Sequence, residues 1–192
     1  QLIQEEELPA YAPDALDEAF FKRLVRASYF PEGPTLVQRM LNEKGIHFAL
    51  LPHLPKTYLD GAAFLSPQRH PVIGLTLRHD RMDNFWFTLA HELAHIHLHL
   101  LNSGEAFFDD MEHRPCATDD PREEEANAFA QEMFIAEAAW QAEALSLLAS
   151  CEDGDILALA EKLEISPAVV AGRIRWESGD YTRCTRLIGQ GG

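Results

Sequence analysis

The chain has 192 residues, with 16 Lys and Arg against 31 Asp and Glu, a net charge of −15. So acidic a surface excludes broad docking on DNA or anionic lipid, since the phosphate term would be repulsive, and it favours a basic peptide segment as partner. The hydrophobic fraction of 46% suits one domain with its own core, and no apolar run reaches membrane-spanning length.

The first residues, 1–13, read as a loose acidic arm without signal-peptide character. The missing initiator Met fits a trimmed fragment. Residues 14–185 read as a single domain and 186–192 as a tail. Asp14 to Ser28 has helical spacing, with Leu16, Ala19, Phe20, Leu24 and Ala27 on one side. Pro31, Gly33 and Pro34 break the chain, and Thr35 to Lys44 is a second helix stopped by Gly45. Ile46 to Leu51 is a short apolar strand. Gly61–Ser66 and Val72–Leu77 flank a turn and predict a hairpin. A long helix starts near Asp83 or Asn84, both good N-caps, and runs to about Leu101. Residues 103–120 are polar and turn-rich, without clear periodicity. Asp120-Pro121 then opens a helix that runs to about Trp140 and on toward Ala149. A last helical pair spans 155–178. The three cysteines, Cys116, Cys151 and Cys184, are widely spaced and odd in number. They predict no disulfide framework and a cytoplasmic location.

The chemistry concentrates in His91-Glu92-Leu93-Ala94-His95. Histidines at i and i+4 on a helix lie about 40° apart around its axis and one turn apart along it. Two imidazoles so placed can converge on one tetrahedral zinc ion. Glu92 follows the first histidine directly and is placed to act as general base toward an attacking water. Leu89, Leu93, Ile96 and Leu100 give this helix a core face. A chance match on a helix that binds nothing is the bland alternative. His97 points away from the pair, and His99 reads as a surface or packing residue rather than a ligand.

A catalytic zinc takes three protein ligands and keeps one position open. No third histidine follows at metzincin spacing, so the third ligand is sought in Pro121-Arg122-Glu123-Glu124-Glu125-Ala126-Asn127. Glu123, Glu124 and Glu125 compete, with a capping box to Asp120 and a solvated acidic face as the bland readings. Glu123 is favoured. Ala126 and Ala130 follow it and allow close helix approach, and Asn127 is one turn on, where it can support a ligand from behind.

The run Phe87-Thr88-Leu89-Ala90-His91-Glu92-Leu93-Ala94-His95, followed by Glu123-x-x-Ala126-Asn127-x-Phe129-Ala130, resembles the ImmA/IrrE family of metallopeptidases. The later Ile165-Ser166-Pro167-Ala168-Val169-Val170-Ala171-Gly172-Arg173 is similar to the family's C-terminal end. The resemblance covers roughly residues 35–185. It implies an α+β, zincin-like fold, with a small antiparallel or mixed three-stranded sheet packed on the active-site helix and additional C-terminal helices. It implies zinc held by His91, His95 and Glu123, with Glu92 catalytic, and a helix-turn-helix repressor of the XRE type as substrate, cleaved under stress or in phage and mobile-element control. Met133-Phe134-Ile135-Ala136 stands where the family often has a Leu-Met-Pro-like run, a departure that bears on the following turn.

Further expectations attach to single residues. The substrate peptide is expected to add as a strand at Gly61–Ser66 or Val72–Leu77. His113, Arg114 and Tyr181 are candidate donors to the oxyanion, and surface positions on the bland reading. Cys116 lies in the loop between the histidines and Glu123, and is read either as a thiolate blocking the open zinc position or as an ordinary loop thiol. The final helical pair has helix-turn-helix spacing, but its balanced charge reads as packing rather than DNA recognition. The competing function is a regulatory, antitoxin-like binding module with little or no hydrolysis, and the intact Glu92 argues for the enzyme.

Overall fold

Asp17 opens the first helix by accepting a hydrogen bond from the Phe20 amide, and α1 then runs Glu18–Ala27. The computed structural model describes residues 8–53, 58–100, 106–109 and 120–189. Leu16, Phe20, Leu24 and Ala27 are buried as their spacing predicts, whereas Ala19 is exposed. Helix α2, Gly33–Glu43, carries its proline in the first turn, so the predicted break is also the helix start.

The sheet follows. Strands β1 (His47–Leu51), β2 (Gly61–Leu65) and β3 (Pro71–Thr76) precede the long helix, and β4 (Phe107–Asp109) follows it. β2 and β3 form the predicted antiparallel hairpin, from Gly61 opposite Leu75 to Leu65 opposite Pro71. β1 lies parallel to β3, and β4 pairs antiparallel with β2, giving the order β1-β3-β2-β4. Among the described residues the sheet is therefore mixed and four-stranded, not three-stranded. β4 is three residues long, too short for alternation to show in sequence. Both strands expected to offer a free edge lie inside the sheet, β3 between β1 and β2, and β2 between β3 and β4.

Helix α3 spans Met82–Ala94 and continues as a π-helical segment, His95–Leu100. Trp86, Leu89, Ala90, Leu93, Ile96 and Leu100 are fully buried. A helix buried nearly all round must be enclosed. Here β2 and β3 cover one side, while α4 (Pro121–Phe134) and α7 (Pro167–Ser178) contact it elsewhere. Between those two helices come α5 (Glu137–Ser150) and α6 (Asp153–Leu163). The predicted caps Asp120 and Ser166 are present, accepting from the Arg122 and Ala168 amides.

The start of α3 differs from expectation. Its cap position is Arg81, which makes no side-chain cap. Backbone carbonyls of Ile188 and Gly189 instead accept from the Met82 amide, and Ile188 also from Asp83. The Asp83 carboxylate is engaged elsewhere, 3.0 Å from Arg175 Nη1 and 3.0 Å from Arg81 Nε. Ile188, in the segment read as a tail, is buried in the core.

Two further findings concern the C-terminal third. Cys151 and Cys184 form a disulfide, which corrects the expectation of three unpaired thiols and removes the cysteine argument for a reducing compartment. The count misled because one pair and one further cysteine also make three. In the final helical pair, Arg173 bonds the Ile135 carbonyl and Glu137, and Arg175 bonds Asp83 and the Tyr181 carbonyl. Both arginines are buried and act within the fold. No helix among the described residues is long and apolar enough to cross a membrane.

Candidate metal centre

The two histidines of α3 and one glutamate of α4 meet between the helices. His91 Nε2 and His95 Nε2 are 2.9 Å apart. Glu123 Oε2 is 3.2 Å from His91 Nε2, and Oε1 is 3.4 Å from His95 Nε2. In a tetrahedral site with bonds of about 2.0–2.1 Å, ligand atoms stand about 3.3 Å apart. The three separations are of that order, the two Glu123 distances running to different oxygens of one carboxylate, and His91, His95 and Glu123 form a cluster compatible with a metal ion.

The chemistry of the donor set agrees. His91 Nδ1 lies 3.0 Å from Asn127 Oδ1. A carbonyl oxygen accepts only, so Nδ1 carries the proton and Nε2 turns a lone pair into the cluster. Both rings are buried and Glu123 is partly buried. Burial acts to raise the Glu123 carboxyl, but where the imidazoles of His91 and His95 carry a proton on Nε2 their hydrogen bonds and charge outweigh it and hold the group well below the usual carboxylate range.

The helix start at Asp120 selects among the three glutamates. Glu123 turns toward the histidines, whereas the exposed Glu125 stands 3.7 Å from His99 Nε2, and Glu124 is exposed. The capping-box reading of Glu123 is not what its carboxylate does. Ala126 and Ala130 are fully buried, consistent with close packing of α4 on α3.

Of the surface and packing readings of His99, packing holds: it is buried with its ring 5.6 Å from His95 and 5.9 Å from Phe107. The His97 ring lies between Phe21 and Phe129. Tyr181 sits in the C-terminal segment with Arg175 over its ring. It lines a cavity of about 420 Å³ with Phe87, Phe134 and Trp176. Cys116, His113 and Arg114 lie outside the described residues.

Three neighbours were not apparent from sequence. A Cβ added to Gly61 would stand 2.0 Å from Glu92 Oε1 and 2.7 Å from Thr88 Cγ2. The first residue of β2 is thus a glycine because the Glu92 carboxylate occupies the space a side chain would take. Phe107 of β4 stacks on His95, with ring centroids 4.2 Å apart and planes 15° from parallel. Arg122 lies over the Phe107 ring at 5.1 Å, held by its bond to Asp120. A strand-opening glycine reads in sequence only as a turn signal, and Phe107 falls in the stretch without periodicity.

An α+β fold in which two histidines and a glutamate converge from neighbouring helices, with a further glutamate buried beside them, is of the metallopeptidase type. Residues 42–175 match the Peptidase_M78 family, described as the IrrE N-terminal-like domain. The match spans more than half of the chain, and the protein belongs to this family. A comparison with curated proteins finds no match.

Proposed function

We propose that the protein is a zinc-dependent endopeptidase that cleaves a helix-turn-helix repressor of the XRE type and so relieves repression. The observation that carries the hydrolytic reading is the convergence of His91, His95 and Glu123 at tetrahedral spacing with Glu92 fully buried on the same helix. The repressor as substrate rests on the family resemblance. A net charge of −15 suits the basic surface of a DNA-binding partner.

His91, His95 and Glu123 would hold the metal. When bound, zinc supplies Lewis acidity toward a peptide carbonyl and lowers the pKa of water. Asn127 fixes the His91 tautomer so that Nε2 is available. Glu92 takes the proton of the attacking water and delivers it to the leaving amine. Gly61 leaves room for that carboxylate at the start of β2.

The test is incubation with a repressor encoded beside the protein, with and without a chelator. Chelator-sensitive cleavage is expected. Glu92→Gln should retain metal and lose about 100-fold or more of the rate. Stable complex formation without cleavage would replace the enzyme by a binding module.

A further inference from the structure

The edge of β2 nearest the donor cluster is covered by the chain's own β4. Gly61, Ala62 and Ala63 pair with Asp109, Phe108 and Phe107. On one face, Gly61 abuts Glu92, and Phe107, opposite Ala63, drives its ring onto His95. On the other face Phe108 is 66% exposed. β4 therefore lies where an extended chain must lie to present a carbonyl beside Glu92, with an aromatic side chain seated against a histidine of the cluster.

Distance excludes the simple alternative that substrate adds outside β4. Neighbouring strands are about 4.8 Å apart, so a peptide on the outer edge of β4 would run about 10 Å from β2. Glu92 touches β2 itself at Gly61. A carbonyl within its reach belongs on the strand adjacent to β2, the place β4 holds. Among the described residues the pairing is three residues long, short enough to open while the remainder of the sheet stays paired.

We propose that β4 is an internal pseudosubstrate strap. It occupies the substrate edge of β2 in the resting protein, and an extended peptide replaces it strand for strand. The proposal rests on the peptidase reading above and adds to it a latent state set by the fold itself. The partner it fits is a polypeptide in extended conformation with a large apolar side chain at the position of Phe107.

A cross-strand lock tests it. Ala62 and Phe108 are directly opposed, on the face away from Glu92, so Ala62→Cys with Phe108→Cys can be joined by a disulfide without touching the donor cluster. Cys116→Ser is included to prevent mispairing, and Phe108→Cys with Cys116→Ser, treated alike, is the control. With zinc-loaded protein and the repressor encoded beside the protein as substrate, the lock is expected to lower cleavage at least tenfold below the control. Equal rates overturn the proposal. Amide exchange of the unlocked protein decides independently of activity. The β4 amides should exchange at least 100-fold faster than those of β3, through local opening. Protection of β4 equal to that of β3 also overturns the strap. Absence of cleavage by every variant counts against the peptidase reading instead, and exchange still decides whether β4 opens.

Discussion

At the scale of single residues, the proposed site depends on one side chain that is absent and one that sits behind His91. Gly61→Ala would place a methyl group within 2.0 Å of Glu92 Oε1, so the carboxylate must swing away. Expected is a loss of about 10- to 100-fold in cleavage, in keeping with a displaced catalytic group, while zinc content measured by metal analysis stays at the wild-type level. Asn127→Ala should do the reverse. It removes the acceptor 3.0 Å from His91 Nδ1, and zinc affinity measured by competition with a chromogenic chelator should fall about 10- to 100-fold. His91, Glu92 and His95 were legible in sequence because a helix makes i and i+4 neighbours whatever surrounds it. Glu123 was legible through Asp120-Pro121, which sets where that helix starts. Gly61 and Phe107 were not legible, because their roles are defined by contacts between strand and helix that no local spacing encodes.

At the scale of elements, α3 is held at its start by groups far away in sequence. Asp83 and Asn84 read as caps because such residues usually serve so. In the structure the first-turn amides bond Ile188 and Gly189, and Asp83 is free to pair with Arg175. Arg175 is 3% exposed, and Arg175→Ala leaves the Asp83 carboxylate buried with only Arg81 to compensate. Breaking such a pair from one side costs about 3 kcal/mol, measurable by urea denaturation. A double-mutant cycle with Asp83→Ala should show strong non-additivity. The hairpin, α4 and α7 were legible from turn residues and caps. The fourth strand was not, and neither was the π-helical stretch His95–Leu100, since a widened turn leaves the apolar spacing of Ile96 and Leu100 unchanged.

At the scale of the whole molecule, the disulfide Cys151–Cys184 ties the end of α5 to the C-terminal segment across a sequence separation of 33. By the loop-entropy relation a crosslink of that span stabilises by about 3–4 kcal/mol. Cys184→Ser should therefore lower the Tm by roughly 6–16 °C in a calorimetric scan, with zinc held at the same saturation. An unchanged Tm would mean that the crosslink does not hold the segment in solution. Cysteine number could not reveal this pairing, because it depends on α5 and the C-terminal segment meeting in space.

The carbonyls that finish the first turn of α3 come from Ile188 and Gly189. A ribosome releases the chain from its N-terminal end, so His91, Glu92 and His95 emerge long before the residues that complete their helix. Glu123 also arrives before them. The nascent protein holds all three residues of the donor cluster while the start of α3 still bonds to water, and contacts so distant in sequence form late. Synthesis itself thus delays the finished site until residues 188 and 189 have emerged.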